Sequence, residues 1–161
     1  MPIYTGTPKS WGVEEELTSA NFNAEIRDPL LALTGADTAY TPTIGGFTTG
    51  NGTATGAYSR VGKRIYFYAR LTFGSTSAAA SAVITMTLPV TSNGAAGFFV
   101  GEFFDASAST YYRAGTRQGS TTTVALYVQG TNGAMSAPST TSPFTWTTSD
   151  TVSVWGVYTA A

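Results

Sequence analysis

Two residue types are missing from this 161-residue chain: it has neither cysteine nor histidine. Without cysteine there is no disulfide, no thiolate zinc site and no thiol nucleophile, and nothing marks the redox compartment. Without histidine the commonest general base and metal ligand is gone, which excludes a Ser-His-Asp triad and an imidazole metal centre. No metal or cofactor is expected. Charge is scarce as well, at 11% of residues against roughly 25% in ordinary globular proteins. The formal net charge of -1 offers no general attraction to nucleic acid or anionic lipid. Long apolar runs are absent, and Met1-Pro2 leads into polar residues rather than a basic-then-apolar stretch. Neither a membrane span nor a Sec-type signal peptide is expected, so such a protein leaves a cell by lysis or as part of a particle.

Solubility must then come from Thr, Ser, Asn and Gly, and 18 glycines with 9 tyrosines suit strands and tight turns better than helices. The stretch from Gly52 to Phe73 organises the chain. Ile65, Phe67, Ala69, Leu71 and Phe73 alternate with Arg64, Tyr66, Tyr68, Arg70 and Thr72, the period of a half-buried strand. Thr53 to Arg60 precedes it, and Val61-Gly62-Lys63 supplies the glycine of a tight hairpin reversal. Tyr40 to Ile44 contains Pro42 and reads as an edge strand. Further strands are expected at Ala82 to Leu88, Gly97 to Phe104, Ser109 to Ala114, Thr122 to Gln129 and Asp150 to Tyr158. The strand with Phe98, Val100, Glu102 and Phe104 on one side and Phe99, Gly101 and Phe103 on the other is apolar on both faces. It belongs in the middle of a sheet or at a subunit contact. About eight strands imply a mainly β fold, an antiparallel β-sandwich of jelly-roll type. An up-and-down barrel satisfies the same patterning.

The N-terminal part differs. Residues 1 to 16 read as an extended arm bearing Trp11, pinned either to its own domain or to a neighbouring chain. After Leu17, Thr18 or Ser19 can cap a helix in which Phe22, Ile26, Leu30 and Leu33 form a narrow apolar stripe. Pro29 predicts a kink, or a second short helix capped by Asp28. A helix this short needs the β domain or another copy to cover its stripe. Residues 1–36 are therefore an arm and short helix for oligomerisation or attachment, through Trp11, Leu17, Phe22, Ile26, Leu30 and Leu33, and residues 37–161 a β domain. Most acidic residues lie in the first part; Arg60, Lys63, Arg64, Arg70, Arg113 and Arg117 lie in the second.

For catalysis only carboxylates remain. The β region holds Glu102, Asp105 and Asp150, and a glycosidase needs two of them about 5–9.5 Å apart. Asp105 and Asp150 sit at strand ends before small polar residues, where turn-capping is the default. Glu102, alone in an aromatic strand, reads either as an acid or sugar-binding acceptor or as the partner of Arg60, Arg64 or Arg70. No phosphate-binding glycine motif is present. Exposed Tyr and Arg on a sheet suit a protein interface or a sugar-stacking surface. Tyr66, Tyr68, Arg70, Tyr111, Tyr112, Arg113 and Trp146 are the candidates for surface recognition.

Several blocks carry a family likeness. Trp11-Gly12-Val13, then Leu17-Thr18-Ser19-Ala20-Asn21-Phe22-Asn23 through Ile26-Arg27-Asp28, resembles the N-terminal segment of bacteriophage minor tail and tail-fibre (receptor-binding) proteins, especially of actinobacterial phages. Tyr40-Thr41-Pro42-Thr43, Gly50 to Thr53, Gly56 to Lys63 and Leu71 to Gly74 resemble the β-rich C-terminal module of the same proteins. Thr141 to Trp146 with Asp150 resembles that module's final strands. The resemblance implies a non-enzymatic virion component, a homotrimer whose N-terminal segment attaches to other tail or capsid proteins while the β domain projects, with a host cell-surface glycan as a candidate partner. No shaft-like segment lies between helix and β domain, so a capsid decoration protein and a carbohydrate-binding module stand as alternatives.

Overall fold

The computed structural model describes residues 10–95, 97–130 and 132–161, apart from the side chains of residues 32 and 33. Pro2, Gly6 and Pro8 of the expected arm and the Leu33 side chain lie outside the described residues. The chain is mainly β and antiparallel, as the patterning predicts, with 47% of the described residues in strands or bridges. In chain order the strands are β1 Thr38–Tyr40, β2 Ile44–Gly45, β3 Phe47–Thr48, β4 Thr53–Val61, β5 Arg64–Thr72 and β6 Ala78–Ala79. They continue with β7 Ile84–Thr87, β8 Phe98–Asp105, β9 Thr110–Gln118, β10 Thr123–Gln129, β11 Met135–Ser136 and β12 Thr151–Thr159.

One hydrogen-bonded path runs β1-β4-β5-β12-β8-β9-β10-β7-β2, with β11 beside β10 and a separate β3-β6 pair. This single sheet curls into a sandwich-like body, so that inner faces from both of its halves meet in one core. The expected edge strand from Tyr40 to Ile44 resolves into two pieces. Thr38–Tyr40 pairs with β4 at one margin of the sheet and Ile44–Gly45 with β7 at the other. Only Thr41, Pro42 and Thr43 separate them, and Pro42 has no N–H to contribute to either ladder.

The hairpin of β4 and β5 pairs Val61 with Arg64 across the two-residue turn Gly62-Lys63. Gly62 adopts φ +59 there, which costs glycine nothing because it lacks a Cβ. Ile65, Phe67, Ala69, Leu71 and Phe73 are buried in register with the predicted alternation. Burying each large side chain of that set contributes about 1.5–3 kcal/mol. Val152, Val154 and Tyr158 of β12 and Phe99 and Phe103 of β8 complete the core beside them. Gly156 stands in the same inward row, where a Cβ would lie 2.3 Å from the Phe98 carbonyl oxygen and 2.9 Å from the Phe99 ring. The absence of a side chain there lets Phe99 and Tyr158 both fit, their centroids 6.4 Å apart.

The N-terminal helix forms without a break at Pro29. It comprises α1 Ser19–Phe22, a π-helical stretch Asn23–Arg27 and α2 Asp28–Thr34. The Thr18 hydroxyl accepts the Asn21 N–H at 3.1 Å, the expected cap. A second α-helical segment does begin at Asp28 with Pro29 in its first turn, but Asp28 does not cap it: Arg27 and Asp28 keep helical dihedrals, and the Asp28 N–H reaches back to the Asn23 carbonyl. The widened turn absorbs the hydrogen bond that Pro29 cannot make. Among the described residues no helix is long and apolar enough to cross a membrane.

Candidate interaction surfaces

The outward faces of β5, β12, β8 and β9 form a platform whose composition follows from strand register. Tyr66, Val157 and Phe98 lie side by side on neighbouring strands, and Tyr68, Trp155 and Val100 form the next row. Below them runs a polar row of Thr55, Arg70, Ser153, Glu102 and Arg113. Phe104 and Tyr111 follow, their rings 4.5 Å apart. Four of these aromatics are open to solvent: Phe98 at 69%, Tyr111 at 65%, Tyr66 at 51% and Trp155 at 38%. Natural monomers seldom leave so many adjacent large apolar groups uncovered.

Arg70 is held on this face rather than free to sweep it. Its Nε donates to Ser153 Oγ at 3.1 Å, and its guanidinium lies 5.4 Å from the centre of the Tyr68 ring. Ser153, a polar residue on the outward side of β12, is completely buried in consequence. Glu102 lies opposite Ser153 on one side and Arg113 on the other. The arginine that precedes it in the row therefore bonds to the intervening serine, and neither Arg60 nor Arg64 shares the Glu102 row.

The platform ends in two shallow cavities on either side of Arg113. One, of about 340 Å³, is lined by Tyr111, Tyr112, Arg113, Gln129, Gly130 and Pro143. The other, of about 290 Å³, is lined by Val100, Arg113, Gly115, Thr116, Gln129 and Met135. Met135 lies over Gly115, where an added Cβ would meet its Sδ and Cε at 3.0 Å. The thioether thus substitutes for the side chain that β9 lacks at this point.

The remaining carboxylates hold turns. Asp105 Oδ1 accepts the N–H groups of Ser107 and Ala108 and the Ser107 hydroxyl at 2.7 Å. That hydroxyl bond, with the two N–H groups, keeps the Asp105 carboxyl below its ordinary range against the opposing effect of burial. Asp150 is fully buried; its Oδ1 accepts the Ala106 N–H at 2.8 Å and its Oδ2 the N–H and hydroxyl of Thr147. Both aspartates are occupied by backbone donors, the turn duty expected for them. Among the described residues no group of three His, Cys, Asp or Glu could hold a metal ion.

No protein-family model, curated protein or solved structure matches this chain.

The candidates for recognition separate into two sets. Tyr66, Tyr68, Arg70, Tyr111 and Arg113 lie on the outward platform or at its rim. Tyr112 and Trp146 do not: both pack against the core. Trp146 sits among Phe47, Phe73, Phe103 and Phe144, and its Nε1 donates to the Ser139 carbonyl at 2.9 Å. An indole with its one donor satisfied is suited to burial. Tyr112 alternates inward on β9 and lies 5.1 Å from Phe144, showing only an edge to the larger cavity.

The platform's centre, Phe98, Val100, Trp155 and Val157, was not among the sequence candidates. Its signal was the apolar character of both faces of β8, together with Trp155 falling out of phase with the buried Val152, Val154 and Tyr158.

The N-terminal stripe forms a second uncovered apolar surface. Leu17, Phe22, Ile26, Leu30 and also Leu31 are exposed, Phe22 at 43% and Leu30 at 55%. Trp11 is 40% exposed. The described side chains of the stripe are therefore left largely open, although α2 lies against β4 of its own chain.

Proposed function

We propose that this chain is a structural protein of a bacteriophage virion, a small minor tail protein that assembles as a homotrimer through residues 1–36 and displays its β domain toward the host surface. The observation that carries this reading is the pair of uncovered apolar surfaces, the Leu17/Phe22/Ile26/Leu30 stripe and the Tyr66/Phe98/Trp155 platform, on one small chain. Both are extended surfaces rather than clefts, as a protein that works by packing against others requires. The order of blocks from Trp11 to Asp150 supports the phage assignment. Among the described residues the buried core begins at Phe47 and takes none from the N-terminal segment, which supports reading the two parts as an attachment segment and a displayed module.

Sedimentation of the full chain and of a chain starting at Asp37 tests the proposal. A trimer for the first and a folded monomer for the second are expected. A monomeric full chain overturns the reading, and labelled antibody on intact particles distinguishes tail from capsid decoration.

A host-surface glycan is a second reading, favoured by the 340 Å³ cavity in which the open ring of Tyr111 flanks Arg113 and Gln129. An aromatic face beside planar hydrogen-bonding groups suits a sugar ring. Loss of glycan-array signal on Tyr111→Ala is the expected result, and no signal from the parent chain on any host-surface glycan removes this reading.

A further inference from the structure

The geometry points to the outward face of β5, β12 and β8 as the seat for the N-terminal helix of a second copy of this chain. The inference rests on the assembly reading above and adds the surface that receives the helix.

Charge selects the occupant. The apolar rows Tyr66/Val157/Phe98 and Tyr68/Trp155/Val100 are bounded toward the hairpin turn by Lys63 and Arg64 and toward the other end by Arg70 and Arg113. Among the described residues of these strands, Glu102 is the one carboxylate that faces outward; Asp105, at the end of β8, is buried. A partner for this face should present an apolar stripe with acidic flanks. Residues 1–37 of the chain have that character, with six of the nine acidic residues and two of the eight basic ones. Glu14, Glu15 and Glu16 precede the stripe, Glu25 lies within it and Asp37 follows. Arg27 and Asp28 pair with each other at 2.8 Å, so Arg27 does not offset the acidic flanks.

Dimensions agree. Phe22 to Leu30 spans about 12 Å at 1.5 Å per helical residue. The two steps from β5 through β12 to β8, the strands that carry both apolar rows, span about 10 Å at the usual strand spacing. A helix laid across the strands can set Phe22, Ile26 and Leu30 on successive parts of the platform.

The same chain does not fill its own face. Three residues, Gly35 to Asp37, join α2 to β1, and β1 and β4 stand between that point and β5. The helix and the platform are both left exposed within one copy. A helix-to-face contact is heterologous, with each copy giving a helix to one neighbour and a face to the next, and it closes as a ring when the rotation permits.

Mixing two variants tests this. Phe98→Glu damages the face at a site 69% exposed, and Ile26→Glu damages the stripe. The parent chain is expected to sediment as an oligomer, each variant alone as a monomer with unchanged circular dichroism, and their equimolar mixture as a 1:1 dimer. One intact helix then meets one intact face. Tyr66→Glu repeats the face test if Phe98→Glu misfolds.

A Phe98→Glu chain that keeps the parent mass while Ile26→Glu loses it overturns the inference, because the helices then pack on one another. Two monomeric variants that do not combine overturn it as well. In both cases the parent is still an oligomer and the assembly reading survives; a monomeric parent defeats both.

Discussion

Trp146 lies nearly parallel to Phe73, with ring centroids 5.1 Å apart and an interplanar angle of 15°. The pair joins the long connection after β11 to the end of β5, two parts of the chain 73 positions apart in the numbering. Phe47, Phe103 and Phe144 meet the same indole edge-on or at a tilt, at 4.4 to 5.7 Å. Trp146 thus gives a segment of little regular structure a fixed place on the core.

Trp146→Ala is expected to cost about 3–5 kcal/mol, the usual loss for a large aromatic removed from a packed site. The midpoint of urea unfolding should fall with little change in slope. A change under about 1 kcal/mol would mean that the aromatic cluster does not anchor the connection.

Asp150 makes a second tie, between the turn after β8 and the start of β12. Asp150→Ala leaves the N–H groups of Ala106 and Thr147 without their acceptor. Both bonds are partly buried, and with about 1–3 kcal/mol for each donor left unpaired a loss of about 2–6 kcal/mol is expected, the exposure of Thr147 favouring the lower end. Asp150→Asn retains one acceptor oxygen and should cost less. Equal losses for the two variants, measured by urea unfolding, would contradict this account.

Alkaline pH should unfold the protein through its interior tyrosines. Burial pushes the Tyr158 hydroxyl from 10.0 up to about 12, opposed by its bond to Val90, and pushes Tyr40 higher still. The phenolate is the disfavoured form, so the folded state binds these protons more tightly than the unfolded chain. Stability from this source is complete below pH 10 and is lost as pH rises toward 12 and beyond. Absorbance titration should show Tyr158 and Tyr40 ionising only with loss of near-ultraviolet circular dichroism. Complete reversible titration with the fold intact would contradict it.

The two tyrosines should also differ from each other. Tyr158 donates to the Val90 carbonyl at 2.6 Å and accepts the Val90 N–H at 3.1 Å, whereas the Tyr40 hydroxyl has no protein hydrogen-bond partner among the described residues. Tyr158→Phe is expected to cost about 1–3 kcal/mol. Tyr40→Phe should change stability by less than about 1 kcal/mol, because no protein hydrogen bond is lost. Thermal or urea unfolding of both variants provides the comparison, and a larger loss at Tyr40 would reverse it.

Strand alternation was legible wherever one face is apolar and the other polar. The inward set from Ile65 to Phe73 and the set Val152, Val154 and Tyr158 are buried as their spacing requires, since a period of two leaves no other register. The Thr18 cap was legible for a similar reason, being a local hydrogen bond within one turn. Pairing order was not, because it depends on contacts such as β12 lying between β5 and β8, and residue types along one strand do not name its neighbours. Trp146 and Tyr112 looked like recognition residues because aromatics near prolines and arginines suit surfaces and cores alike. Their burial depends on Phe144 and Phe103 arriving from elsewhere in the chain. The platform around Trp155 was hidden for the opposite reason: each of its rows takes one residue from each of several strands, so no run in the sequence spells it.

Thr41-Pro42-Thr43 spans the gap between β1 and β2, the two margins of the curled sheet. Hydrogen bonds hold every other neighbouring pair along the main path, but at this seam the join is covalent. The sheet is therefore a hoop with a buckle three residues long, and the length of that buckle limits its girth. Lengthening the tripeptide would let the body relax outward, while cutting it would leave two short flaps, each held by a ladder of three residue pairs or fewer.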